Sequence, residues 1–143
     1  MKHATAFILL SLIPAAGICH AGEHSASQAS ADDTYQASIA ADGVQHVDII
    51  GGNYFFRPNH VTVQAHVPVE FSVTLEKSIV PHSLVIDAPE AGIRVDETLG
   101  SETKKLRFTP TVAGNYPFYC KNKLLFLNSH RDKGMKGVLE VVE

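Results

Sequence analysis

The chain has 143 residues, which suits one ordinary domain and does not require a second. Its 12 basic and 15 acidic residues nearly balance, giving a formal net charge of −3, and this argues against nucleic acid as a partner. The charges are unevenly distributed, however. Between residues 121 and 136 a single acidic residue, Asp132, accompanies five basic ones: Lys121, Lys123, Arg131, Lys133 and Lys136.

The first residues have the pattern of a secretory signal peptide. Lys2 precedes a mostly apolar run over residues 4–18, and small residues around Ala21 fit a cleavage site. This run is shorter than the about 20 apolar residues that a membrane-spanning helix needs, so no membrane span is predicted. We predict a signal peptide at residues 1–21, cleavage after Ala21 and a periplasmic location.

Cleavage at this point would remove Cys19 and leave Cys120 as the remaining cysteine. An exported protein with one cysteine cannot form an internal disulfide. A lone exported thiol indicates a metal ligand or a reactive group, the alternative being a buried and inert side chain.

Residues 22–42 are predicted to form a flexible leader, because they hold almost no large apolar side chains. Cleavage after Ala21 would place Gly22, Glu23 and His24 at the new amino terminus. A free amine, two backbone amides and an imidazole can surround Cu(II) in a square plane. These three residues are therefore a candidate additional Cu(II) site, unless His24 is simply a polar residue of the leader.

Residues 43–143 are predicted to form an all-β domain. Short runs of alternating apolar and polar residues are separated by turn residues, as in a sandwich; Phe71 and Val73, for example, flank Ser72. The prediction is a Greek-key β-sandwich of about seven or eight strands. Residues 87–102 show little periodicity and are interpreted as a long connection with one edge strand or helical turn.

Four residues of this domain form a candidate metal site. Cys120, His130 and Met135 lie on one strand-to-loop segment, and His82 lies upstream after a proline. A thiolate, two imidazoles and a thioether suit a copper ion that cycles between two oxidation states. A ligand at a strand end and two on the adjoining loop can converge on one ion, with His82 contributed by a neighbouring strand.

The chain resembles the cupredoxins, the blue or green type 1 copper proteins, over about residues 44–143. The resemblance depends on these residues taken together: Gly52-Asn53-Tyr54-Phe55-Phe56-Arg57-Pro58, His82, Tyr116-Pro117-Phe118-Tyr119-Cys120, and His130 with Met135-Lys136-Gly137. It implies one type 1 copper bound by His82, Cys120 and His130, with Met135 as a long axial ligand.

Two features depart from the usual family pattern. Nine residues separate Cys120 from His130, an interval closer to that of the copper nitrite reductases than to the small electron carriers, and this favours a tetragonally distorted, greener site. Ser83 stands where many cupredoxins have asparagine. Its hydroxyl or amide is a candidate donor to the thiolate sulfur, and the alternative is that it caps a turn.

The resemblance implies one-electron chemistry rather than an enzyme, because four protein ligands leave no open coordination position. The chain is similar to small exported cupredoxins of bacterial copper-tolerance systems, so we predict a role in copper handling or tolerance. The alternative is a dedicated electron carrier whose redox partner docks near the loop of residues 121–136. Within that loop, Leu124, Leu125, Phe126 and Leu127 either pack over the copper as a helical turn or form an exposed docking patch.

Overall fold

The computed structural model describes residues 33–143, in which ten strands form two sheets. A single 3₁₀ turn, Pro89–Ala91, precedes the seventh strand. Within the described residues no helix is long and apolar enough to cross a bilayer. The strands are β1 Thr34–Gln36, β2 Gln45–Gly52, β3 Phe55–Arg57, β4 His60–Gln64, β5 Val69–Leu75, β6 His82–Ala88, β7 Ile93–Leu99, β8 Lys104–Phe108, β9 Gly114–Tyr119 and β10 Lys136–Val142.

The strand order gathers the candidate ligands at one end of the larger sheet. This six-stranded sheet has the order β1-β4-β10-β9-β6-β7, and the four-stranded sheet has the order β3-β2-β5-β8. β9, which ends just before Cys120, lies between β10 and β6 and is antiparallel to both. The first residue of β6, His82, and the residue before β10, Met135, therefore lie at the same end as Cys120. The structure confirms the predicted all-β sandwich.

The strand number differs from the predicted seven or eight. Part of the difference is β7, whose buried Ile93 and Val95 pack on the core although the surrounding sequence is irregular. The other addition is β1, which falls inside the predicted leader. Its side chains are exposed, and it joins the sheet by pairing in parallel with β4, so it carries no apolar pattern. The sheet thus begins at Thr34, earlier than the predicted boundary at residue 42.

Four phenylalanines join the two sheets. Phe118 of β9 lies 5.6 Å from Phe56 and 6.3 Å from Phe71 between ring centroids, and Phe71 lies 5.1 Å from Phe108. All four rings are buried, and each contributes apolar burial and favourable edge contacts. Because Phe118 is two residues before Cys120 on the same strand face, this cluster anchors the strand that carries the thiol.

Candidate metal centre

Three candidate ligands meet in the buried interior at the end of β9. The Nδ1 atoms of His82 and His130 are 3.1 Å apart. The sulfur of Cys120 lies 3.4 Å from Nδ1 of His130 and 4.0 Å from Nδ1 of His82. Cys120 and His82 are fully buried, and His130 is 3% exposed. The strand phase had predicted an inward thiol, and its burial is confirmed.

Backbone hydrogen bonds connect the ligand residues to one another. The amide of Cys120 donates to the carbonyl of Met135 at 3.0 Å, and the amide of Met135 donates to the carbonyl of His130 at 2.9 Å. The amide of His130 donates in turn to the carbonyl of Asn122 at 2.9 Å. Met135 is fully buried beside the other three residues. These bonds fix the positions of the loop ligands relative to β9.

Three polar groups from Ser83 and Asn122 surround the Cys120 sulfur. The amide of Ser83 donates to the sulfur at 3.3 Å, and the hydroxyl of Ser83 lies 3.7 Å away. That hydroxyl accepts from the amide of Lys121 at 3.1 Å, which leaves its own hydrogen available to the sulfur. The thiol of Cys120 donates to the side-chain oxygen Oδ1 of Asn122 at 3.4 Å. Hydrogen bonds donated to a metal-bound sulfur tune its electronics.

The three ligand atoms have the separations that one metal ion requires. Atoms bound to an ion at about 2.0 to 2.3 Å lie about 3 to 4 Å from one another. The ligand atoms of His82, Cys120 and His130 all lie within 4.8 Å of one another. Two imidazole nitrogens and a thiolate, with a thioether residue alongside, form the donor set of type 1 copper. The residues present therefore fit copper.

A comparison with known proteins finds sequence similarity to a plastocyanin. No family model matches the chain. A plastocyanin from Dryopteris crassirhizoma is 28% identical over 102 residues, covering 63% of this chain and 90% of the relative. The chain is therefore similar to a cupredoxin in sequence, and its two-sheet all-β structure has the cupredoxin fold.

Solved structures support the cupredoxin fold. The metal-binding domain of the Cu(I)-exporting P-type ATPase of Streptococcus pneumoniae is 24% identical, with a TM-score of 0.61 over 80% of this chain and 100% of that one. Auracyanin A from Chloroflexus aurantiacus, a "blue" copper protein, is 19% identical, with a TM-score of 0.52 over 70% of this chain and 100% of its own.

The surroundings of both histidines favour the neutral imidazole. Burial lowers the pKa of His82, and the neighbouring His130 lowers it further. Burial likewise lowers the pKa of His130, to which the charge of Lys133 adds. A neutral imidazole keeps a lone pair on one nitrogen, which is the form that binds a metal.

Ser78 lies within hydrogen-bond distance of the second ring nitrogen of His82, and the sequence did not single it out. Its hydroxyl lies 3.1 Å from Nε2 of His82 and 3.3 Å from the amide and the carbonyl of Val80. Binding of a metal through Nδ1 of His82 would place the hydrogen on Nε2, from which it can donate to Ser78. The sequence does place a serine four residues before a ligand histidine. That spacing alone does not predict a hydrogen bond, because the bond depends on the conformation of the turn between the two residues.

The exposed side of His130 meets an aromatic ring. Tyr54 packs edge-on against the imidazole at 5.0 Å between centroids. The ammonium of Lys133 lies 4.3 Å above the Tyr54 ring and donates to its hydroxyl at 3.2 Å. His130 is therefore separated from solvent by one tyrosine and its lysine neighbour.

The apolar run in the ligand loop does not cover the metal site. Leu124, Leu125, Phe126 and Leu127 are 53%, 79%, 100% and 53% exposed. They form a turn in which the amide of Leu127 donates to the carbonyl of Leu124 at 2.9 Å. The interpretation as a helical turn packed over the copper is wrong, and the alternative of an exposed patch is the one observed.

The candidate additional site at Gly22, Glu23 and His24 lies outside the described residues.

Proposed function

We propose that this protein binds one copper ion through His82, Cys120 and His130, with Met135 as the axial ligand, and exchanges single electrons with a redox partner. The observation that carries the proposal is the buried arrangement of two Nδ1 atoms and one sulfur at 3.1 to 4.0 Å. Copper bound there supplies one-electron oxidation and reduction. We do not propose an enzyme, because the ligand set offers a substrate no open position.

The chain's own residues hold this site rigid. Ser78 orients His82, while the amide of Ser83 donates to the sulfur. The backbone hydrogen bonds among Cys120, His130 and Met135 restrain the loop. The ligand positions therefore need to change little when a bound copper ion gains or loses an electron. A preorganised environment lowers the free-energy barrier to electron exchange, because its groups need little reorganisation when the charge changes.

The partner would approach at the loop of residues 121–136. His130 lies at the base of this loop, and Tyr54 connects it to the surface. Five basic residues of the loop complement an acidic counterpart and would accelerate the encounter at low salt.

The experiment is protein-film voltammetry of the copper-loaded protein. We expect one reversible one-electron wave and about one copper per chain. A matched variant, His46→Gln, changes an exposed histidine on β2 and should leave the wave unchanged. Absence of a reversible wave in the wild-type protein, despite bound copper, would overturn the electron-carrier proposal.

A role in copper tolerance is the second proposal, with export to the periplasm and an additional Cu(II) site at Gly22, Glu23 and His24. Its support is the donor set, which buffers copper as readily as it transfers electrons, together with the leader sequence. A deletion strain grown with and without added copper would decide the role. Sensitivity of the deletion strain to added copper supports a role in tolerance, whereas a respiratory defect at low copper supports a role as an electron carrier.

Copper stoichiometry of the wild type and of His24→Ala tests the additional site.

A further inference from the structure

The exposed run in the ligand loop projects from the end of the sandwich. The amide of His130 donates to the carbonyl of Asn122, which closes the base of a loop made of residues 123–129. The turn at Leu124 to Leu127 forms its tip, and the Phe126 side chain is fully exposed. This run is therefore a protruding apolar tip rather than the floor of a groove. Four consecutive large apolar side chains left in water are unusual without a binding role.

A collar of positive charge surrounds this apolar tip. Residues 121–136 hold five of the 12 basic residues and one of the 15 acidic residues, so the rest of the chain is acidic. Arg131 lies 4.3 Å above the Tyr119 ring, and Lys133 lies above Tyr54, so aromatic rings position these two cations. The carboxylate of Asp132 turns toward Ser129, which donates to it at 2.6 Å.

The charges of this collar remain largely unpaired. Among the described residues, the Lys or Arg side chains in ion pairs are Lys104, Lys105, Arg107 and Lys121. Lys123, Arg131, Lys133 and Lys136 are absent from these pairs. An anionic surface that approached the tip would thus meet four cations that lie outside these ion pairs, although Lys123 and Arg131 also attract the carboxylate of Asp132.

We propose that the apolar tip inserts into a lipid bilayer that contains anionic phospholipid, and that the basic collar contacts the headgroups. A protruding apolar segment flanked by Lys and Arg is the arrangement with which peripheral proteins bind membrane interfaces. A protein partner would instead favour a flatter patch, because its own surface must close around the exposed side chains. Ile79 is also fully exposed and precedes β6 at the same end of the sandwich, which extends the apolar surface facing the bilayer.

This docking would bring the copper site close to the membrane. Three residues lie between Phe126 and His130, so their Cα atoms are at most about 14 Å apart. With the tip in the bilayer, the side of His130 that packs against Tyr54 would lie toward the headgroup region. A redox partner embedded in this membrane would rest on the proposed function, whereas lipid binding itself does not depend on copper.

The first test is co-sedimentation of the purified protein, metal-free and copper-loaded, with vesicles of phosphatidylcholine alone or mixed with phosphatidylglycerol. We expect binding to the mixed vesicles in both metal states. Leu125→Ser/Phe126→Ser should weaken it about tenfold or more. Removing charge with Lys123→Gln/Arg131→Gln should weaken it about fivefold per residue.

The matched control is Ile39→Ser/Val112→Ser. Both residues are exposed and apolar, and they lie near the starts of β2 and β9, at the opposite end of the sandwich. This variant should bind vesicles like the wild type. The proposal is overturned if Ile39→Ser/Val112→Ser loses as much vesicle binding as Leu125→Ser/Phe126→Ser. It is also overturned if the wild type does not bind the mixed vesicles. Retention on an immobilised acidic polypeptide without vesicle binding would assign the tip to a protein partner instead.

The second test uses the absence of tryptophan from the chain. Phe126→Trp introduces a single tryptophan at the apolar tip, and Val112→Trp introduces one at the opposite end. Mixed vesicles should shift the emission of Phe126→Trp to shorter wavelength, and acyl chains carrying bromine should quench it, while Val112→Trp is unaffected. Sedimentation of the Phe126→Trp protein without shift or quenching would mean headgroup attraction alone and would overturn insertion.

Discussion

At the scale of single residues, hydrogen bonds around the ligands decide how the site is presented to copper. Nε2 of His82 lies 3.1 Å from the hydroxyl of Ser78, and the sulfur of Cys120 accepts from the amide of Ser83. The second bond uses a backbone group and survives any change of the Ser83 side chain, whereas the first depends wholly on one hydroxyl. Ser78 is therefore the positioning residue whose replacement is most informative.

Ser78→Ala should weaken copper binding by about 10- to 100-fold, because His82 loses the bond that fixes its tautomer. Ser78→Thr keeps the hydroxyl and should remain near wild type. Competition with a Cu(I) chelator measures the affinity. Nitrogen-15 NMR of the metal-free protein should show a hydrogen on Nε2 of His82 in the wild type and mixed tautomers in Ser78→Ala. Unchanged affinity and tautomer in Ser78→Ala would exclude the positioning role.

At the scale of strands, the close packing of β10 against its neighbours fixes the position of the last residues of the ligand loop. The amide of Val138 donates to the carbonyl of Asn59 at 2.8 Å, just before β4. Gly137 faces this carbonyl and the Phe118 ring, and a Cβ atom at this position would overlap both. Since Gly137 is two residues after Met135, the contact couples the packing of β10 to the metal site.

Gly137→Ala should lower the free energy of unfolding by about 1 to 3 kcal/mol, because a backbone oxygen cannot move aside. Gly100→Ala is the matched control, since its Cβ would meet nothing within 4 Å. It should change stability by less than about 1 kcal/mol. Urea denaturation of the metal-free proteins measures both, and equal stability of the two variants would contradict this account of β10.

The sequence predicted much at this scale because strand periodicity is local information. The alternation of Phe118 and Cys120 placed the thiol inside, and the bounds of β5 and β8 follow directly from their patterns. β1 could not be found in this way, since its contribution is backbone pairing with exposed side chains. The bond of Ser78 to His82 and the exposure of Phe126 depend on turn conformations that residue types alone do not specify.

At the scale of the whole molecule, acid acts on both histidines of the site. Burial lowers the pKa of His82 and of His130 in the folded protein, while in the unfolded chain both titrate near the ordinary value. Below that value the unfolded state binds more protons than the folded state. The stability of the metal-free protein therefore falls as the pH is lowered through about 6.5.

Thermal unfolding of the metal-free protein at pH 7.5 and at pH 5.5 measures this effect. We expect a lower Tm at the acidic pH, and a smaller difference in His82→Gln/His130→Gln. Replacing the exposed His46 in the same manner serves as the control. A Tm that rises on acidification in the wild type, and not in the double variant, would contradict the neutral state assigned to these histidines.

The central claim is that Cys120 binds copper as a thiolate together with His82, His130 and Met135. The most direct measurement is the visible absorption of the Cu(II)-loaded protein beside that of Cys120→Ser. We expect an intense thiolate-to-copper charge-transfer band at about one copper per chain in the wild type, and its loss in Cys120→Ser. An intense band that persists in Cys120→Ser would contradict the assignment.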